Sequence, residues 1–144
     1  MANQEPVFDS PKGWVARHIN DYVETDGRKG HLWQGAPTLL VTTRGRKTGK
    51  LRRTALIYGR DGDSYVVVGS EGGAKKHPLW YLNLRAEPKV DVQVGPDLFS
   101  GRARTANQEE RARFWPRMAE IWPDYNNYQK RTSREIPLVI IEPN

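Results

Sequence analysis

The chain has 144 residues, 37% of them hydrophobic and 10% aromatic, which suits one compact core better than two. It holds no cysteine, and His18, His31 and His77 are scattered, so disulfides and thiolate metal sites are excluded and zinc or haem finds no ligand set. The net charge of +6 is concentrated: residues 27–60 carry nine Lys/Arg and no Asp or Glu, six of them between Arg44 and Arg53, a field that attracts an anion.

Residues 1–12 read as a loose arm. Nothing in residues 1–10 resembles a secretory signal, and aliphatic runs such as Leu138–Ile141 are far too short for a membrane span. A cytoplasmic protein is therefore expected. Over 13–25 the apolar residues Val15, Ile19, Tyr22 and Val23 fall at helical spacing, and Asp26-Gly27 supplies a stop. This helix is expected to cover one end of a sheet. Contact with the inner face of the plasma membrane is the weaker reading, because its apolar stripe is short.

The β-branched run Thr38–Thr43 predicts a strand, followed by the loop 45–49 and a second strand over Leu51–Tyr58. A turn at Asp61-Gly62 leads into a third, Ser64–Gly69. Past the glycine-rich stretch Ser70–Ala74, Pro78 opens a helix over Leu79–Leu84 that ends before Pro88. Two further strands, Lys89–Val94 and Leu98–Thr105, flank Gly95-Pro96-Asp97. Asn107 with Glu110 has the spacing of a capping box, and Pro116 is expected to kink or split the helix that follows. A short helix over Tyr125–Lys130 precedes a closing strand, Pro137–Glu142. Ten prolines and 13 glycines fit a β-rich α+β domain with many turns. The elements add up to about six short strands flanked by helices: a small barrel in a single domain, 1–144, and not a βαβ dinucleotide fold.

The loop Gly45-Arg46-Lys47-Thr48-Gly49 combines turn-permitting glycines, two cations and a hydroxyl, the chemistry of a phosphate holder. It is not a Walker loop, since its glycines are too close and Leu51 stands where Ser or Thr is required. An ordinary exposed hairpin turn fits the local sequence equally well. A second basic stretch, Gly69–Pro78 with Lys75 and Lys76, feeds a helix N-terminus, where free amides favour an anion. Trp122 suits core packing, whereas Tyr125 and Tyr128, set among Asp124, Asn126, Asn127 and Gln129, suit a surface or pocket wall. No serine–histidine–acid set or carboxylate pair supports hydrolysis.

The run Leu39–Gly49, followed in order by Ser70–Leu84, Ala86–Val90, Glu109–Ala112, Trp115-Pro116, Tyr125–Gln129 and Ile136-Pro137, resembles the deazaflavin-dependent nitroreductase family over residues 35–143. The resemblance implies a split β-barrel of the flavin-reductase type and coenzyme F420, a deazaflavin with a phosphate and an oligoglutamate tail, as hydride carrier. It implies that Arg46, Lys47 and Thr48 grip the cofactor phosphate. Arg52, Arg53, Thr54, Ala55, Leu56 and Ile57 would line the groove, with Val68, Gly69, Ser70, Glu71 and Lys76. The helix residues Leu79, Trp80, Tyr81, Leu82 and Asn83 would complete it, and Tyr125 would close over the ring. Ile57, Ser70, Trp122, Tyr125 and Tyr128 would face the second substrate, with Tyr125, Tyr128 and Ser70 carrying the catalytic assignment.

The implied activity is hydride transfer to a planar conjugated acceptor such as a quinone, nitroaromatic or enone, which requires stacking and water exclusion more than a nucleophile. Nitroimidazole-active members carry tyrosines at the positions of Ile57 and Trp122, which favours quinones here, and Glu71 replaces a lysine common in relatives. An FMN-binding barrel and a small nucleic-acid-binding barrel are the alternatives. Residues 44–53 hold no aromatic to stack on bases, so no nucleic-acid partner is expected. Monomer and homodimer both stay open, and no metal is expected.

Overall fold

The computed structural model describes residues 5–11 and 13–144. In chain order these form β1 (Val7–Asp9), α1 (Gly13–Glu24), β2 (Leu32–Trp33), β3 (Ala36–Arg44), β4 (Leu51–Asp61) and β5 (Ser64–Val68). A 3-10 turn (Glu71–Gly73) and α2 (Leu79–Ala86) come next, then β6 (Lys89–Val94), β7 (Asp97–Thr105), α3 (Gln108–Ile121), α4 (Asp124–Lys130) and β8 (Leu138–Pro143). Six antiparallel strands pair in the order β3-β4-β5-β8-β7-β6, and β6 returns to β3 to close the barrel. This is the split β-barrel that the resemblance implied.

Strand alternation sorts the apolar residues into two cores. Leu39, Val41, Val67, Val90, Val92, Val139 and Ile141 fill the interior, and Tyr81 and Leu84 of α2 join them. The intervening residues Val66, Val68, Leu138 and Ile140 point outward and pack under Phe114 and Met118 of α3 and Tyr125 of α4. Each of these buried side chains contributes about 1.5–3 kcal/mol relative to exposure. On a third face, Val15, Ile19 and Tyr22 of α1 bury against Leu40, which places the helix on the barrel wall. Its fourth expected apolar contact, Val23, is 37% exposed instead.

Two expectations are corrected. Among the described residues, two short strands attach outside the expected six-stranded barrel. Of these, Leu32–Trp33 pairs with Pro37 and Ala36. The other lies in the arm read as loose: Val7–Asp9 runs parallel to Leu51–Arg53 of β4. The Asp9 carboxylate takes two hydrogen bonds from Arg53, at 2.6 and 3.2 Å, and the Phe8 ring lies under Lys50 and Arg52. The remainder of the arm, residues 1–4 and 12, lies outside the described residues. Finally, α3 runs through Pro116 as one helix and is not split there. Proline strands only the carbonyl of Ala112, an exposed residue, while buried Phe114 and Met118 anchor the helix on both sides of Pro116. No described helix is long and apolar enough to cross a membrane.

Candidate active site

β4 explains why a groove exists. Residues 51–57 pair along one edge with β3, while the opposite edge meets β1 only at 51–53 and β5 only at 58–61. Among the described residues, Thr54–Ile57 therefore have a strand on one side alone. The gap opens into a groove of about 980 Å³. Because the groove wraps a free edge, consecutive residues from both faces of β4, Arg52 through Ile57, line it. A free edge also offers backbone N–H and C=O groups to a ligand.

At one end stands the loop between β3 and β4. Its turn is closed by Gly45 N–H donating to Lys50 O at 2.7 Å and Gly49 N–H to Gly45 O at 2.8 Å. Gly49 sits at φ +72°, where a side chain would be strained. Buried Asn83 of α2 fixes the loop from below: its Oδ1 accepts from Arg46 N–H at 3.1 Å and its Nδ2 donates to Thr43 Oγ1 at 3.2 Å. The side chains of Arg46, Lys47 and Thr48 are left exposed at the groove. Two neighbouring cations are engaged by the arm, Arg44 with Glu5 and Arg53 with Asp9. The open positive charge is thus narrowed to the loop tip and Arg52.

The other end is aromatic. Trp33 lies between Trp14 (5.6 Å between centroids, 19° between planes) and Trp122 (4.9 Å, 36°), joining α1, β2 and the end of α3. Trp122 Nε1 donates to the Tyr128 hydroxyl at 3.3 Å. Tyr125 packs edge-on to Tyr128 at 6.1 Å and is only 5% exposed. Burial, with Tyr128 beside it, pushes the Tyr125 hydroxyl far above the usual tyrosine range, so it stays protonated. His18 Nε2 lies 3.3 Å from Thr38 Oγ1, and burial pulls the imidazole below its ordinary value. Ser70 is buried and also lines the groove.

Most of the expected residues meet here. Arg46, Lys47, Thr48, Val68, Ser70, Glu71, Leu79, Trp80, Asn83, Trp122, Tyr125 and Tyr128 line the groove along with the β4 segment. Gly69, Lys76, Tyr81 and Leu82 do not. Tyr81 faces the barrel core, its hydroxyl 2.8 Å from Thr105 Oγ1, and Leu82 packs against that same core. Gly69 sits under Pro137, and Lys76 is exposed. Sequence reasoning missed the wall built by Phe8, Asp9, Trp14, His18, Trp33 and Thr38. One signal was present: Trp14 falls outside the Val15–Ile19–Tyr22 stripe, and it stays 56% exposed where it stacks on Trp33.

A cationic tip, an open strand edge and a neutral aromatic end suit an elongated ligand with an anionic tail and a planar head. No group of three or more metal-ligating side chains occurs among the described residues. The profile of the F420H(2)-dependent quinone reductase family matches residues 14–143. The chain is 42% identical over 141 residues to an F420H(2)-dependent quinone reductase of Mycobacterium tuberculosis, covering 89% of this chain and 95% of that one. Among solved structures it is similar to an F420-H2 dependent reductase at 41% identity and a TM-score of 0.68, over 74% of this chain and 94% of that one. Another, described as a domain-swapped dimer, matches at 37% identity and a TM-score of 0.71, over 92% of this chain and 100% of that one.

Proposed function

The chain belongs to the F420H(2)-dependent quinone reductase family, and from that premise we propose that Arg46, Lys47 and Thr48 hold the phosphate of the coenzyme while the quinone docks against Trp122, Tyr125 and Tyr128. The protein is an oxidoreductase that passes hydride from reduced coenzyme F420 to a quinone. The observation that carries the residue assignment is the polarity of the groove, cationic at the Arg46–Thr48 tip and aromatic at the Trp122–Tyr128 end.

When bound, the coenzyme supplies the hydride. The protein's own work is to bind, orient and dry the site. The unpaired edge at Thr54–Ile57 offers backbone hydrogen bonds to a planar ring system, and Leu56, Ile57 and Trp80 keep water from it. The protonated Tyr125 hydroxyl and Ser70 supply neutral donors at the acceptor end, suited to a quinone oxygen that gains charge. Ile57 and Trp122 offer no hydroxyl to orient a nitro group, which favours quinones over nitroimidazoles.

Calorimetric titration with coenzyme F420 tests the assignment. Arg46→Ala with Lys47→Ala removes two charge-assisted contacts and is expected to weaken binding by about 10–100-fold, with the melting temperature unchanged because both side chains are exposed. Equal affinity in the double variant would reduce the loop to a plain turn.

A further inference from the structure

Residues 131–137, between α4 and β8, have no regular structure, yet two side chains there reach the second glycine segment: Arg131 Nη1 donates to Gly72 O at 3.4 Å, and Arg134 makes the larger set of bonds. Arg134 Nε donates to Ala74 O at 2.7 Å, its Nη2 to Ser70 O at 2.8 Å and its Nη1 to Gly69 O at 3.1 Å. Nη1 also lies 3.2 Å from His77 Nδ1. One guanidinium thus joins three carbonyls and an imidazole of residues 69–77, a use of its rigid fork that lysine cannot reproduce. The arginine is itself anchored: Gln129 Nε2 of α4 donates to Arg134 O at 2.8 Å, and Gln129 Oε1 accepts from Ile136 N–H at 2.9 Å and Arg111 at 3.0 Å.

The held segment needs holding. Glu71, Gly72 and Gly73 sit at φ 44°, 65° and 83°, three left-handed residues in a row, a conformation a glutamate does not favour. Its own bonds are two, Gly73 N–H to Ser70 O and Ala74 N–H to Glu71 O. The turn also presses on α4: a Cβ on Gly73 would lie 2.5 Å from Tyr128 O. Ser70, Tyr125 and Tyr128 all line the groove.

We propose that Arg134 is a positioning residue, fixing the Gly69–Ala74 turn against α4 so that Ser70 keeps its place in the groove lining with the two tyrosines. The inference rests on the groove being the coenzyme and quinone site. It lies outside the groove and touches neither ligand.

Two variants and two readouts test it. Arg134→Ala removes the fork, and Arg134→Lys keeps the charge but cannot bridge three carbonyls. In protein without ligand, hydrogen exchange of residues 69–77 is expected to speed up about tenfold or more in both variants, with β5 and β8 unchanged. Coenzyme F420 affinity measured by calorimetry is expected to fall about tenfold, and millimolar guanidinium should recover part of it in Arg134→Ala while leaving wild type unaffected. Should Arg134→Ala fail to fold, Arg134→Lys decides the matter by the same exchange measurement. Unchanged exchange and affinity in Arg134→Lys would overturn the proposal. Failure of wild type to bind the coenzyme would overturn the site assignment instead, and the exchange data would still judge the brace.

Discussion

Glu110 has two tasks at the start of α3. Its carboxylate accepts from Asn107 N–H at 3.0 Å, while Asn107 Oδ1 accepts from Glu110 N–H at 2.8 Å, closing the capping box. It also receives both terminal nitrogens of Arg104, at 2.8 and 2.9 Å. Arg104 foremost, then the Asn107 amide, holds the Glu110 carboxyl down at about 2, from an ordinary 4.5. A carboxyl lowered on folding stabilises the protein above its unfolded value and loses that contribution as pH falls through the folded one. Acid unfolding should therefore show about 1 kcal/mol of stability disappearing between pH 4.5 and 2, discounted for the solvent-facing arginine. Glu110→Gln should flatten that part of a urea-midpoint-against-pH curve; an unchanged curve would deny the pair this role.

The Asn107…Glu110 spacing was legible in the sequence because a capping box is a purely local device. The five-residue run Leu79–Asn83 was legible only in part. A helix turns about 100° per residue, so where Leu79, Trp80 and Asn83 face a groove together, Tyr81 between them faces away. Resemblance carries a segment across whole, whereas helix geometry admits only one face of it.

Among the elements, α3 offers the clearest test. Pro116 occupies an interior position that ordinarily costs a helix about 3 kcal/mol against alanine, yet the helix continues. Pro116→Ala should restore the hydrogen bond to the Ala112 carbonyl and raise unfolding stability by about 1–3 kcal/mol, less the entropy an unfolded chain regains. A drop in urea stability would mean the proline is relieving strain in α3. The long barrel strands were readable from β-branched alternation, but β1 and β2 were not. Strands of three and two residues hold too few repeats of the two-residue alternation to stand out as a pattern. They are set by distant partners, Arg53 for Asp9 and Trp14 and Trp122 for Trp33, which no local window contains.

For the whole molecule, the decisive feature is that, among the described residues, barrel closure leaves Thr54–Ile57 with one bare edge. The rest of the site is arranged around that gap by parts remote in sequence: the loop at 45–49, the turn at 69–74, and the aromatic end shared by α1, β2 and α4. Lining by the N-terminal segment was unreadable because it depends on where α1 and β1 dock.

The placement of the indoles gives the protein a built-in optical reporter. Of its five tryptophans, Trp14, Trp33, Trp80 and Trp122 line the groove, while Trp115 is bonded to Asn126 at 2.7 Å and stacked under Arg111. Nearly all ultraviolet-excited emission should thus arise within reach of whatever fills the site. A bound chromophore should extinguish most of it, and Trp115→Phe should lower the residual light without altering the amplitude or midpoint of the titration. If that substitution instead removes the quenchable signal, the four groove indoles do not surround the ligand.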